Sequence, residues 1–158
     1  MGDFKKRTMS NTTTIEDNIK SLSALKTLEF IAKEYKGSAT FSTSFGQEDQ
    51  VITHMILSNN LPIDIFTLDT GRMFEDTYRV MQRTNEKYKT NIKVFFPESS
   101  AIEDLYKEKG AYSFYESIEN RKECCNIRKV LPLRRALAGY KIWITGLRAQ
   151  QSKNRNNL

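Results

Sequence analysis

The sequence contains only two cysteines, and they are adjacent, at Cys124 and Cys125. A chain with no other thiol cannot form the disulfide framework found in small secreted proteins. Two neighbouring thiolates can instead bind one metal centre. An iron–sulfur cluster is usually held by four cysteines, so this pair supplies only part of such a ligand set.

A second group of chemically capable residues lies in the segment 42–49, STSFGQED. Hydroxyl groups, a glycine and the backbone N–H groups at the start of a helix can surround a phosphate. The segment lacks the lysine of a Walker-type phosphate loop, which disfavours a P-loop NTPase. An ordinary turn from strand to helix has the same composition, and both interpretations stay open.

Farther along, the segment 68–72, LDTGR, combines a carboxylate with an arginine. Such a pair can hold a ribose hydroxyl and a phosphate, although an exposed helix-capping Asp69 would look the same.

Basic residues follow the cysteines at Arg128, Lys129, Arg134 and Arg135. They can bind an acidic ligand or lower the pKa of a nearby thiol, or they can form a solvated helix face. The single histidine, His54, is interpreted as a packed or solvated residue.

The elements that would position these residues alternate between strand and helix. An amphipathic helix is predicted over residues 15–36, because apolar residues recur at three- and four-residue steps before Gly37. The predicted strands are 39–45, 63–68, 92–96 and 141–145, and the further predicted helices are 48–58, 74–87, 101–109 and 130–138. This order is typical of a parallel sheet covered by helices on both faces.

The unusual residues fall just past the carboxyl ends of the predicted strands. They are the segments 44–46 and 69–71 and the pairs Phe96-Pro97 and Thr145-Gly146. Because ligands bind at this edge of an open parallel sheet, we predict a single crevice there. No repeat or linker divides the chain, so residues 14–158 are predicted to form one domain after a flexible N-terminus at residues 1–13.

The formal net charge is +6, with a pI near 9.3. This charge suits RNA, an acidic membrane surface or a small phosphorylated ligand. No apolar run approaches the roughly 20 residues of a membrane span, and no secretion signal is visible, so we predict a cytoplasmic protein without a membrane partner. Nucleic-acid binding would explain the charge but neither the cysteine pair nor the strand-end motifs, and it is not expected.

Taken in order, four motifs resemble those of the adenylyl-sulfate and phosphoadenylyl-sulfate reductase family. They are SFG-x-ED at 44–49, LDTG at 68–71, CC-x-x-RK-x-x-PL at 124–133 and W-x-TG-x-R-x-x-QS at 143–152. The resemblance implies the adenine nucleotide alpha-hydrolase-like fold, a three-layer α/β fold with a parallel sheet. It also implies an oxidoreductase that reduces adenylyl sulfate to sulfite and AMP with thioredoxin, in sulfate assimilation.

By the same resemblance, a vicinal cysteine pair marks the branch that binds a 4Fe-4S cluster and prefers adenylyl sulfate. Cys124 and Cys125 would then be cluster ligands, and Lys129 and Arg148 would hold the phosphosulfate. The substrate-binding residues implied for this chain are Ser44, Phe45, Gly46, Asp49, Asp69, Thr70, Gly71, Arg128, Lys129, Gly146 and Arg148.

The nucleophile of the family is a C-terminal cysteine, and none follows Cys125 before the sequence ends at Leu158. No catalytic residue is therefore assigned. We expect adenylyl-sulfate binding without sulfite release by this polypeptide, and an incomplete or absent cluster. The alternatives are a phosphoadenylyl-sulfate reductase, an ATP-dependent adenylyl-transferring relative of the same fold, and a non-enzymatic binding module left by truncation. Association into a homo-oligomer stays open.

Overall fold

A computed structural model describes residues 15–147 of the chain. Residues 15–19 form a short helical segment, and helix α1 (Ala24–Glu34) follows it. The prediction of one helix over residues 15–36 is therefore wrong, because the helix is interrupted at residues 20–23. The side chain of Ser23 accepts a hydrogen bond from the backbone N–H of Lys26 at 3.4 Å, and this cap starts a new helix.

The described residues form one sheet of four parallel strands in the order β3-β2-β1-β4. The strands are β1 (Ala39–Ser42), β2 (Asp64–Leu68), β3 (Lys93–Phe95) and β4 (Ile142–Ile144). In the register, Phe41 lies beside Ile65 on one side and Ile144 on the other. All four predicted strands are confirmed, with shorter ends. Because β1 ends at Ser42 and not at residue 45, the residues after it form a loop.

Helices connect consecutive strands. The first two connections are α2 (Gln47–Ser58) and α3 (Glu75–Tyr88). Between β3 and β4 lie α4 (Ser99–Lys109), a 3-10 turn (Ser113–Tyr115), α5 (Ile118–Cys125), a π-helical segment (Asn126–Val130) and α6 (Leu131–Leu137). The sequence patterns missed α5. Its start is set by Ser117, whose side chain accepts a hydrogen bond from the backbone N–H of Asn120 at 3.0 Å.

The main core lies on one face of the sheet, where Phe41 and Ile65 pack with Ile31 of α1 and Ile56 of α2. Side chains alternate along a strand, so Phe66 points to the opposite face. There α6 contacts β2 and β3 and buries Pro132 and Ala136. Helices thus cover both faces, which confirms the predicted three-layer α/β architecture. None of the helices within residues 15–147 has the length and hydrophobicity needed to span a membrane.

Candidate functional site

A cleft of 540 Å³ opens at the carboxyl edge of the sheet. Its walls are made by residues that follow β1, β2 and β4 and by the π-helical segment. The strand order reverses between β1 and β4, and open parallel sheets bind ligands at such a reversal. Six of the eleven substrate-binding residues implied by the resemblance line this cleft: Ser44, Gly46, Asp49, Thr70, Lys129 and Gly146.

The loop after β1 brings backbone and hydroxyl donors to the cleft. Phe45 has φ 63°, a left-handed conformation that few residues other than glycine adopt, and its side chain is buried. Its backbone N–H donates to the Thr43 hydroxyl at 3.0 Å, which stabilises this conformation. Gly46 is the N-cap of α2 and has no side chain to cap it. The start of α2 therefore presents backbone N–H groups at the cleft, an arrangement suited to an anion.

Asp49 links the loops that follow β1 and β4. Its Oδ2 accepts hydrogen bonds from the backbone N–H and the hydroxyl of Ser44, each at 2.6 Å. Its Oδ1 lies against Gly146, where a Cβ atom would overlap the carboxylate oxygen. The residue is only 9% exposed. Its carboxylate is thus held by protein contacts, and it fixes both loops.

Asp69 stabilises the loop after β2 and lies outside the residues that line the cleft. It is 5% exposed, and its two oxygens accept from the backbone N–H of Gly71 and from the hydroxyl of Tyr78, each at 2.7 Å. The hydrogen bond to Asp69 raises the pKa of Tyr78 above its usual value. Gly71 has φ 71°, which glycine adopts without strain. The loop thereby presents Thr70 and Arg72 to the cleft.

Arg72 lines the cleft, as the segment 68–72 indicated, although it is absent from the substrate-binding residues implied by the resemblance. Its guanidinium donates to the Tyr106 hydroxyl at 3.3 Å and to the Ala111 carbonyl, and it lies 4.8 Å from the centroid of the Phe114 ring. A signal for it existed, since an arginine follows the DTG motif directly. The aromatic turn that holds it, Ser113–Tyr115, had no recognisable pattern.

Arg128 and Lys129 are adjacent in the sequence but lie in different surroundings. Arg128 is 4% exposed, and it donates from Nη1 to the Thr70 carbonyl at 2.7 Å and from Nη2 to the Tyr106 hydroxyl at 3.1 Å. Lys129 is exposed and lines the cleft. Within residues 15–147, neither forms an ion pair with a carboxylate. Lys129 is thus a cation available to a ligand, whereas Arg128 supports the wall.

Charge is unevenly distributed around the cleft. Lys129 and Arg72 lie on the wall formed by the β2 loop and the π-helical segment, whereas Glu48 and Asp49 lie at the start of α2. This distribution favours an elongated ligand with its anionic end toward the two cations. Trp143, the only tryptophan, adds an aromatic surface, and its Nε1 donates to the Ser42 hydroxyl at 2.9 Å.

The two adjacent cysteines lie at the end of α5 and differ in exposure. Cys124 is buried and Cys125 is exposed at the end of α5, because successive residues of a helix point about 100° apart. Neither thiol lines the cleft. Among residues 15–147, no three His, Cys, Asp or Glu residues are grouped as metal ligands. A four-cysteine cluster needs two more thiolates than this sequence has, so the residues fit that group only in part.

Three other residues singled out from the sequence are Arg148, Phe96 and His54. Arg148 lies outside the residues that the structure describes. Phe96 is absent from the cleft lining, and its carbonyl accepts a hydrogen bond from Arg135. His54 also lies away from the lining, where its Nδ1 is 2.8 Å from the Tyr88 hydroxyl and 2.9 Å from that of Ser58.

Several known proteins are similar to this chain in sequence or in fold. An adenosine 5'-phosphosulfate reductase from Sinorhizobium fredii is 45% identical over 89% of this chain and 56% of its own length, and one from Rhizobium meliloti is 47% identical over 88% and 52%. A phosphoadenylyl-sulfate reductase structure from Candida auris, in complex with phosphate, superposes with a TM-score of 0.71 at 24% identity. The superposition covers 85% of this chain and 66% of the Candida auris chain, and it supports a shared fold alone.

The chain spans about half the length of the curated relatives it matches. Residues 38–158 match the family described as the phosphoadenosine phosphosulfate reductase domain. This match includes all four strands and the residues that line the cleft. The chain therefore belongs to the phosphoadenosine phosphosulfate reductase domain family.

Proposed function

We propose that this chain is the sulfonucleotide-binding part of an adenylyl-sulfate reductase of sulfate assimilation. The observation that carries the proposal is the cleft at the strand-order reversal, with Lys129 on its wall free of any ion pair among the described residues. Relatives that are 43–47% identical are named adenosine 5'-phosphosulfate reductases, which supports adenylyl sulfate as the substrate. Phosphoadenylyl sulfate is the competing substrate, because the family's description names it.

In this proposal the phosphosulfate lies beside Lys129, with Arg148 and Arg72 as further cations. Gly46 offers backbone donors at the start of α2, and Ser44, Thr70 and Gly146 complete the walls next to it. Fixed cations neutralise the phosphate and sulfate charge and leave the sulfur open to a thiolate. The remaining residues implied as substrate-binding shape the site through their protein contacts, and Asp49 alone among them also lines the cleft: Phe45, Asp49, Asp69, Gly71 and Arg128.

The proposed reaction has two steps. A cysteine thiolate attacks the sulfur of adenylyl sulfate, so that a sulfur–sulfur bond forms while the sulfur–oxygen bond breaks and AMP leaves with the electron pair. Lys129 stabilises the negative charge on the departing phosphate. A dithiol such as thioredoxin then supplies two electrons and releases sulfite. Neither Cys124 nor Cys125 lines the cleft, so we assign the nucleophile to a cysteine outside these 158 residues.

A 4Fe-4S cluster in the whole protein would take Cys124 and Cys125 as two of its ligands, and the other two would come from outside this sequence. We derive no catalytic step from it. Reduction by a dithiol such as thioredoxin requires a reducing compartment. We therefore propose the cytoplasm as the location.

Binding tests the proposal directly, because Trp143 lines the cleft and is the only tryptophan. We expect adenylyl sulfate to change the tryptophan fluorescence saturably and to bind more tightly than ATP or phosphoadenylyl sulfate. Lys129→Ala should raise the Kd for adenylyl sulfate about tenfold or more, since it removes a charge-assisted contact. Lys141→Ala is the matched control, because Lys141 is exposed just before β4, at the opposite edge of the sheet.

Two results would contradict the proposal. One is binding of ATP that is as tight as that of adenylyl sulfate, which would favour an ATP-dependent adenylyl-transferring relative. The other is an unchanged Kd in Lys129→Ala. A polypeptide of these 158 residues, supplied with thioredoxin and its reductant, should bind adenylyl sulfate and release no sulfite. Sulfite release would show that the nucleophile was assigned wrongly.

A further inference from the structure

Tyr106, in the last turns of α4, joins two arginines from distant parts of the chain. Its hydroxyl oxygen accepts a hydrogen bond from Nη2 of Arg128 at 3.1 Å and another from Nη2 of Arg72 at 3.3 Å. The guanidinium carbon of Arg128 also lies 5.5 Å from the centroid of the Tyr106 ring. A phenolic oxygen can accept both bonds at once. One side chain therefore connects the β2 loop to the π-helical segment.

The two guanidinium groups need this shared acceptor because like charges repel each other. Both are charged at every physiological pH. Within residues 15–147, neither Arg72 nor Arg128 pairs with a carboxylate. Arg128 is buried, and none of the described residues forms a hydrogen bond with its Nε. A buried cation without a counter-ion is unfavourable for folding, and such groups are retained where they serve a function.

Both arginines act on the same wall of the cleft. Arg128 donates to the Thr70 carbonyl and approaches Gly71 so closely that a Cβ atom there would lie 3.3 Å from its Nη1. Arg72 lines the cleft together with Thr70. Tyr106 does not belong to the lining, so it can influence a ligand only through these neighbours.

We propose that Tyr106 is a positioning residue of the sulfonucleotide site, whose hydroxyl holds Arg72 and Arg128 together and so fixes the wall at residues 70–72 before the ligand binds. The inference rests on the proposed function, since it concerns the affinity of the same cleft for an anionic ligand. Groups that are already in place lose less conformational freedom on binding. Without the hydroxyl, the two guanidinium groups separate and the ligand must order the loop itself.

The electrostatics of the phenol provide an independent reporter of this contact. Burial acts to raise the pKa of Tyr106, but the hydrogen bonds and charges of Arg72 and Arg128 outweigh it, so the pKa lies below that of an ordinary tyrosine. The phenolate absorbs in the near ultraviolet, and its formation can be followed as the pH is raised. Tyr106 should therefore ionise at a lower pH than an ordinary tyrosine, whereas hydrogen bonds to carboxylates raise the pKa of Tyr78 and of Tyr140.

The test compares Tyr106→Phe with Tyr115→Phe. The first substitution removes one oxygen and keeps the ring under Arg128. The control removes the hydroxyl of a tyrosine in the 3-10 turn that is 79% exposed. For Tyr106→Phe we expect an unchanged circular dichroism spectrum, loss of the early-ionising phenol and a rise of about tenfold in the Kd for adenylyl sulfate. Tyr115→Phe should keep the early phenol and bind within about twofold of the wild type.

The outcomes separate this inference from the proposed function. If the wild type binds adenylyl sulfate and Tyr106→Phe binds it within twofold, the positioning role is wrong and the proposed function stands. If the wild type does not bind it, the proposed function and the role in affinity both fail, and the phenol titration alone tests the contact with the arginines. Should Tyr106→Phe not fold, Arg72→Gln replaces it. That variant should raise the pKa of Tyr106, and an unchanged titration would overturn the contact.

Discussion

Gly146 is the position where a single methyl group should disturb the site most. A Cβ atom at this position would overlap Oδ1 of Asp49 and lie 3.3 Å from its Cγ and 3.4 Å from its backbone nitrogen. The nitrogen belongs to the first turn of α2 and cannot move without the helix. In Gly146→Ala we therefore expect the carboxylate to rotate away and to lose its two hydrogen bonds from Ser44.

The expected loss of folding stability in Gly146→Ala follows from these contacts. A hydrogen bond to a charged group contributes about 1.5–3 kcal/mol, and water replaces part of that loss at a cleft wall. Overpacking in a well-packed region costs about 1–3 kcal/mol. Because rotation of the side chain relieves the overlap at the expense of the hydrogen bonds, the two effects are alternatives and do not add. The less costly of the two sets the loss, so we expect Gly146→Ala to lower the free energy of unfolding by about 1–3 kcal/mol.

Urea denaturation measures this change, with Gly46→Ala as the matched control. Gly46 lies on the same cleft, but its φ is −65° and a Cβ atom would be 3.6 Å from the nearest atom, the Ser44 hydroxyl oxygen. The control should lose less than about 1 kcal/mol, since alanine only replaces glycine at an N-cap. A double-mutant cycle with Asp49→Ala tests the cause, because Gly146→Ala should cost little once the carboxylate is gone. Additive free energies, or a loss below about 0.5 kcal/mol in Gly146→Ala, would refute the reasoning.

Three further predictions concern the scaffold. Ser23→Ala removes the cap of α1 and should lower the free energy of unfolding by about 1 kcal/mol in urea denaturation. The hydrogen bond from Tyr140 lowers the pKa of Asp64 below 3.8, its ordinary value, against the opposing effect of burial. The hydrogen bond between Tyr140 and Asp64 therefore stabilises the fold above the ordinary pKa of Asp64. This stabilisation is lost as the pH falls through the lower pKa that Asp64 has in the folded state. Thermal melts of Tyr140→Phe should show less than about 1 kcal/mol of destabilisation at neutral pH and no difference in strong acid. Cys125 should react with a thiol reagent in the native protein, whereas Cys124 should react only after denaturation.

Most of the scaffold could be predicted because strand and helix periodicities dominate its sequence. The four strands were found within a few residues of their ends, and so were α2, α3 and α4. The predictions are wrong where a single hydrogen bond determines the residue at which a helix begins. Apolar periodicity continues across residues 20–23, but the cap made by Ser23 interrupts the helix. In α5 the apolar period is absent, and Ser117 starts the helix with no other local signal.

The cleft itself could be located from residue types at the strand ends, but the direction of each side chain could not. The orientation of Asp69 depends on Tyr78, which lies in the following helix. That of Asp49 depends on a serine five residues earlier and on Gly146, almost a hundred residues later. The sequence identifies carboxylates near a ligand edge, and only the packed structure separates those that position the loops from those that face the cleft.

Arg128 and Lys129 lie in the π-helical segment that precedes α6. In this segment the backbone N–H of Leu131 bonds to the carbonyl of Asn126, five residues back. Pro132 has no N–H, and a proline ring inside a helix clashes with the carbonyl four residues earlier, which here is that of Arg128. A widened turn relieves the clash and shifts the helical register that follows. The proline of the CC-x-x-RK-x-x-PL motif therefore accounts for the widened turn that carries the basic pair. Because successive residues of a helix point about 100° apart, one cation of the pair supports the wall while the next faces the cleft.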